Sequence, residues 1–246
     1  MREIRVHVDS ALEPGRRVTL GNQAAQHVTK VLRLRDGAPL TVFDGRGGEY
    51  QATLRLSGRE AIIEVGEHQL IERESPLRLI LLQALARGER MDFVIQKATE
   101  LGVHRIIPVA AARSVVQLDA DRGDKRALHW QAVAAAACEQ SGRNTLPIID
   151  APLSFESALG AVSHVDGRLL LLPEACASLA GALTDTDPPR EIALLVGPEG
   201  GFEETEVERA LEVGFRAIRL GPRVLRTETA GLAALSALQC LAGDFA

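Results

Sequence analysis

Two residues of the chain could do chemistry on a small ligand, and each lies in a glycine-bearing turn. Glu199 sits in Gly197-Pro198-Glu199-Gly200-Gly201, and Arg226 sits in Gly221-Pro-Arg-Val-Leu-Arg226-Thr-Glu-Thr-Ala230. A carboxylate in such a turn can bind a ligand, or it can accept a proton if it is partly buried. A guanidinium can stabilise an anion that develops during a reaction. Plainer roles stand beside these: Glu199 as a turn-stabilising carboxylate, and Arg226 as the partner of Glu228 in a helix-start ion pair. No Ser-His-Asp or Cys-His arrangement competes, and the six histidines show no metal-ligand spacing.

The elements that must position these residues are two apolar runs. Ile192-Ala-Leu-Leu-Val196 suits a strand buried on both faces, and Ala217-Ile-Arg-Leu220 is a second, shorter one. Each leads through its glycine turn into a helix. Phe202 to Val213 is acidic, and Glu228 to Leu241 is rich in Ala and Leu, with Thr227 as its expected N-cap. In an open parallel sheet, ligands bind at such carboxyl ends. Gly197, Gly200 and Gly201 allow close backbone approach to a ligand. Glu203, Glu204, Glu206 and Glu208 suit the positive end of a helix, yet they would repel a phosphate bound there. Neither the dinucleotide nor the P-loop glycine pattern occurs at this turn. A ligand with hydroxyls to donate or a positive centre fits better, and S-adenosylmethionine has both. An ordinary strand-helix turn is the alternative.

The two turns together resemble the SPOUT class of methyltransferases, and specifically the 16S ribosomal RNA (uracil-N3)-methyltransferase family. Gly197-Pro-Glu-Gly-Gly-Phe202 and Leu220 to Ala230 carry the resemblance. Gln96-Lys-Ala-Thr-Glu-Leu-Gly-Val103, Cys138-Glu-Gln-Ser-Gly-Arg-Asn144 and His27-Val-Thr-Lys-Val-Leu-Arg33 extend it, in the family's order, over nearly the whole chain. It implies an α/β fold: a C-terminal SPOUT parallel-sheet domain with a deep trefoil knot, residues 73–246, and an N-terminal PUA-like β-barrel that binds RNA, residues 1–72. The knot would break the general rule against threaded chains.

The resemblance also implies S-adenosylmethionine as cofactor and 16S ribosomal RNA, in the assembled small subunit, as partner, with a homodimer in the cytoplasm and no metal. The target would be N3 of uracil 1498. The cofactor would rest on Leu172, Leu195, Gly197, Pro198, Glu199, Gly200, Gly201, Leu220, Gly221, Val224, Leu225 and Thr227. Arg226 and Glu199 would be the catalytic pair. A related enzyme acting on another nucleotide, and a non-catalytic RNA-binding protein, are the competing expectations.

Composition sets the limits. The chain has 246 residues, 46% of them hydrophobic, enough for one large domain or two smaller ones. Its start, Met-Arg-Glu-Ile-Arg, lacks a signal peptide's apolar core, and no apolar stretch reaches the roughly 18 residues of a membrane helix. Cys138, Cys176 and Cys240 lie among Ala and Leu and read as small core residues in a reducing compartment. The net charge of −5 falls wholly on residues 75–246, since residues 1–74 balance 11 Lys/Arg against 11 Asp/Glu. Residues 14–35 carry Arg16, Arg17, Lys30, Arg33 and Arg35 with no acid. This cluster is either a solvated face or an RNA-backbone contact, and the resemblance favours contact.

Residues 1–72 read as β-rich. Ile4, Val6 and Val8 alternate with polar residues, and residues 40–43, 50–56 and 61–65 form strands joined by turns at Asp44-Gly45, Gly47-Gly48 and Ser57-Gly58. Asn22 is expected to cap a helix with Ala24, Ala25, Val28, Val31 and Leu32 on its apolar face. Gly66 to Pro76 reads as a linker. Beyond it, strands at 77–82, 103–109 and 169–172 alternate with helices at 91–101 and 124–141, as in a parallel α/β sheet.

Overall fold

The computed structural model describes residues 4–58, 60–114, 120–183 and 189–245, so the charged start Met1–Glu3 lies outside the described residues. The chain forms two compact units, residues 1–74 with 135–146, and residues 75–134 with 147–246.

The first unit is a mixed sheet of β1 (Arg5–His7), β2 (Arg17–Thr19), β3 (Pro39–Phe43), β4 (Glu49–Ser57) and β5 (Glu60–Gln69), in the order β1-β3-β4-β5-β2. β3–β4 and β4–β5 are antiparallel hairpins, while β1 runs parallel to β3. Val6, Val42, Leu54 and Ile63 are fully buried and form its core, with Val28 from the helical segment. That segment departs from the expected helix. α1 (Asn22–Gln26) starts from Gly21, not from an Asn22 cap, and it opens into a π-helical turn over His27–Val31. Ala24 and Ala25 pack on the core, but Val31 and Leu32 face solvent because the wider turn rotates them off the buried stripe.

The expected linker is likewise part of the structure. Gly66–Gln69 extends β5, and the residues after it are held by ion pairs. Arg5 and Glu49, both buried, pair at the centre. Arg73 joins Glu49 at 3.2 Å, Asn144 donates to Glu49 at 3.0 Å and to the Ile71 carbonyl at 2.7 Å, and Arg143 pairs with Glu74. The segment Arg143-Asn144 is therefore a structural part of this unit.

The second unit is a parallel sheet of β6 (Arg78–Ala84), β7 (Arg105–Ala110), β8 (Ile148–Ile149), β9 (Leu153–Ser154), β10 (Gly167–Leu171), β11 (Glu191–Val196) and β12 (Arg216–Ile218). The order is β12-β10-β11-β6-β7-β8, with β9 also on β7. Its helices are α2 (Arg90–Glu100), the first part of α3 (Ala120–Ser141), α4 (Phe155–Ala161), α5 (Leu179–Ala182), α6 (Glu204–Glu212) and α7 (Thr227–Ala242). Alternate residues of the central strands serve two cores. Leu79, Leu81, Ile192, Leu194 and Val196 pack with Met91, Val94 and Ile95 of α2 and with Leu235 and Leu238 of α7. Ile80, Leu82, Ala193 and Leu195 pack with Phe155 and Leu159 of α4 and Ala210 of α6. Continuous apolar runs are what a sheet covered on both faces requires.

Two further expectations are corrected. The N-cap of α7 is Arg226, and Thr227 is its first helical residue. Cys138 is buried, and burial pushes its thiol up to about 12, but Cys176 and Cys240 are exposed. No helix among the described residues is long and apolar enough to cross a membrane.

Burial alone would raise the Glu49 carboxyl, but hydrogen bonds from Arg5, Asn144 and Arg73 outweigh it and hold the group below its ordinary value. Its ionised form thus stabilises the fold fully above the unfolded carboxylate value of about 4.3, and that stabilisation is lost as pH falls through the lower folded value. Glu49→Gln should cost roughly 3 kcal/mol at neutral pH, because Arg5 stays buried without its counter-charge. The difference should shrink in acid. Urea unfolding at a series of pH values checks this, and superimposable curves at pH 7 would show that the pair contributes nothing.

Candidate active site

The carboxyl ends of three adjacent strands, β12, β10 and β11, build one cavity of about 560 Å³. Leu171 and Leu172 close the end of β10, Val196 closes β11 and Ile218 closes β12. Leu220, Leu225 and Ala230 complete a largely apolar wall.

The first turn contributes Gly197, Pro198, Glu199 and Gly201. Gly201 lies at φ +71°, and its N–H closes the turn by donating to the Pro198 carbonyl at 2.9 Å. Phe202 turns inward and meets Phe155 edge to face, with ring centroids 5.6 Å apart. The acids that follow lie off the cavity. Glu206 accepts from the Glu203 N–H and the Ala112 N–H, both at 2.9 Å, and Glu203, Glu204, Glu206 and Glu208 do not line the cavity.

The second turn contributes Leu220, Gly221, Val224, Leu225, Arg226 and Thr227. Gly221 has φ +117°, a conformation closed to side chains with a Cβ. One hydroxyl locks the two turns together. Thr227 donates to the Gly197 carbonyl and accepts from the buried Gln83 side chain at 2.9 Å. Gln83 stands at the end of β6 and also donates to the Ala84 carbonyl at 3.3 Å. Two sequence-predicted residues lie off the cavity: Leu195 belongs to the core beneath it, and Gly200 lies against Arg113.

The charges are arranged differently from the pairing considered between Arg226 and Glu228. Arg90, at the start of α2, pairs with Glu199 at 2.6 Å and lies 4.0 Å from Glu228. Arg226 lines the cavity with no ion-pair partner among the described residues, and only its backbone carbonyl is used, accepting from Thr229 and Ala230. Arg219 and Arg223 join it on the lining. The cavity is thus predominantly cationic, and Glu199 is its one carboxylate among the described lining residues. Sequence reasoning missed Arg90, Arg219 and Arg223. Arg219 and Arg223 flank a motif already singled out, whereas Arg90 stands 109 positions from its partner with no spacing to reveal it.

The predicted RNA-contact residues Arg16, Arg17, Lys30, Arg33 and Arg35 all belong to the first unit and are exposed. Arg17 is paired with Glu64, and Arg33 takes the left-handed conformation at φ +52°. No cluster of three or more His, Cys, Asp or Glu placed to hold a metal occurs among the described residues.

A parallel sheet with a cavity at its strand ends, and a separate small β unit, define the class. Residues 73–239 match an RNA methyltransferase domain and residues 20–65 an RNA methyltransferase PUA domain. The chain is 34% identical to the ribosomal RNA small subunit methyltransferase E of Bacillus subtilis over 92% of both chains. It belongs to the ribosomal RNA small subunit methyltransferase E family. A putative Legionella pneumophila methyltransferase, solved with its cofactor S-adenosylmethionine, superposes with a TM-score of 0.94 at 36% identity over 100% of both chains. The Neisseria gonorrhoeae ribosomal RNA small subunit methyltransferase E, bound to S-adenosylmethionine, gives 0.90 at 38%, also over 100% of both.

The lock between the turns can be removed at nearly constant volume. Thr227→Val should lower stability by about 1–3 kcal/mol, because the Gln83 amide loses its buried acceptor. Thr227→Ser should retain most of it. Urea unfolding decides, and a Val variant as stable as wild type would mean that the turns are held together by other contacts.

Proposed function

We propose that the chain transfers the methyl group of S-adenosylmethionine to N3 of a uracil in 16S ribosomal RNA, uracil 1498, within the small subunit. The observation that carries this is the cavity in which both glycine turns meet, with the Arg226 guanidinium on its lining and free of an ion pair among the described residues. The residues present fit the cofactor. The volume of about 560 Å³ lies within the roughly 300–1,000 Å³ of small-molecule sites. Apolar walls suit an adenine and a methionine chain, Glu199 suits ribose hydroxyls or a sulfonium, and Gly221 lets backbone approach closely.

Bound cofactor supplies an electrophilic methyl group. The chain's own residues must do the rest. Neutral uracil carries a proton on N3, so the base must lose it and present its lone pair in line, and positioning and exclusion of water supply much of the rate. In this reading Arg226, on the cavity lining, stabilises the uracil anion at O2 or O4 before it is consumed. Glu199 is the candidate proton acceptor or cofactor ligand, and Arg90 fixes where its carboxylate points. Residues 1–72 bind RNA and residues 73–246 carry catalysis. The working form is a cytoplasmic homodimer, and its catalytic sheet is tied in a deep trefoil knot.

Small subunits lacking the modification, incubated with the protein and labelled cofactor, should gain one methyl group on a uracil N3, mapped by mass spectrometry. Label on another nucleotide would replace the proposed target. Arg226→Ala should leave cofactor affinity within a few-fold and slow methyl transfer by roughly two to three orders of magnitude. Arg226→Lys should restore only part, since a point charge lacks the planar fork. Calorimetry beside the rate assay separates the roles: if cofactor binding falls as far as the rate, Arg226 is a binding residue. Gly221→Val should do the opposite and abolish cofactor binding in a folded protein.

A further inference from the structure

The segment His27-Val-Thr-Lys-Val-Leu-Arg33 breaks two local rules at once. Its last turn is π-helical, closed by the Leu32 N–H donating to the His27 carbonyl at 2.9 Å, and Arg33 then adopts φ +52°. A left-handed conformation is unusual for a bulky residue, and isolated π turns recur at functional positions. The geometric result is specific. In an α-helix Val31 and Leu32 would follow Val28 at i+3 and i+4 onto the buried face. Here Val28 is fully buried while Val31 is 68% and Leu32 36% exposed.

The surroundings of these two aliphatic side chains are cationic. Lys30, Arg33 and Arg35 are exposed and have no ion-pair partner among the described residues. Nearby acids are already committed: Glu64 to Arg17 and Arg55, and Asp36 to the Leu56 N–H at 2.8 Å and Arg55 at 4.0 Å. Exposed aliphatic side chains next in sequence to exposed cations that lack an ion pair among the described residues suit a polyanion that also offers apolar faces. Duplex RNA presents mainly phosphate and ribose to such side chains, whereas unpaired RNA exposes base faces.

We propose that this π turn is a docking tip for unpaired ribosomal RNA, in which Val31 and Leu32 contact a splayed base or ribose while Lys30, Arg33 and Arg35 hold the flanking phosphates. The proposal rests on the ribosomal RNA methyltransferase reading. It assigns Val31 and Leu32 a part in binding and gives the π turn a purpose, which is to lift them out of the core.

The two kinds of contact separate in a salt titration. Phosphate contacts set the log–log slope of affinity against salt, about 0.7 per contact for single strands, while apolar contacts lower affinity without changing it. Filter binding of the full chain to a small-subunit RNA fragment containing the target should show V31S/L32S about ten-fold weaker at every salt, with the wild-type slope. K30A/R33A/R35A should flatten the slope by about two units. Urea unfolding of both variants should give the wild-type midpoint, which controls for folding of the unit that carries them, and V31S alone, about three-fold weaker, serves if the double variant is unstable. Affinity of V31S/L32S equal to wild type overturns the proposal. So does a V31S/L32S protein that loses self-association in the ultracentrifuge while keeping its RNA affinity, since the tip would then cover a second copy of the chain. Failure of the wild type itself to bind the RNA would instead remove the functional reading beneath.

Discussion

A single hydroxyl, that of Thr227, carries the constraint on which the cavity depends. It donates to the Gly197 carbonyl and accepts from Gln83, so it joins the end of β6, the turn after β11 and the first residue of α7. These segments are separated by 30 and 144 positions along the chain. Without such a link the two glycine turns are independent loops, and each could relax away from the other. Gln83 is buried and directional, and it packs so closely on Gly231 that a Cβ there would lie 3.0 Å from its Oε1. The small residue in α7 thus serves the polar link, and the link serves the turns.

Electrostatics are handled in two different ways in the two units. In the first, buried charge is neutralised locally, with Glu49 shared among Arg5, Arg73 and Asn144, which fixes the segment 143–144 and the strand ends around it. In the second, one acid is paired and the cavity's other cations are not: Arg90 is committed to Glu199, while Arg219, Arg223 and Arg226 lack ion-pair partners among the described residues. A methyltransferase that acts on ribosomal RNA must approach a phosphate backbone, and so needs cations not cancelled by its own carboxylates. The net charge of −5 conceals this, because mean charge does not report where the unpaired charge stands.

What could be read in the sequence follows from the range of each force. The strands at 192–196 and 77–82 were legible because burial on both faces imposes a continuous apolar run. The motif around Gly221 was legible through its resemblance to the family's signature, and its glycine takes φ +117°. Tertiary polar contacts were not. Thr227 looks like an N-cap from its local sequence, yet its hydroxyl is used across the fold and the cap position falls to Arg226. Arg90 and Glu199 carry no mutual signal, being 109 positions apart. Gly66–Gln69 looks like a linker because its polar residues face solvent, although its backbone continues β5. The helix at residue 22 was read with a fixed 3.6-residue period, and that period fails where the chain inserts a π turn.

The two unusual conformations complete the argument, because they differ in what they cost and whom they serve. At Gly221 the residue type absorbs the strain: glycine reaches φ +117° with no Cβ to clash, and the turn can crowd a ligand. At Arg33 the residue type does not absorb it, since arginine in the left-handed region is strained and a glycine there would relieve it. The chain nevertheless keeps a cation at that position and leaves Val31 exposed two residues earlier. Neither choice improves the stability of the first unit taken by itself. Both become intelligible if residues 30–35 meet a partner that supplies what the fold withholds, an apolar surface for Val31 and Leu32 and negative charge for Arg33. Strain retained by a residue that could have been glycine is therefore the strongest local sign that this turn is built for contact.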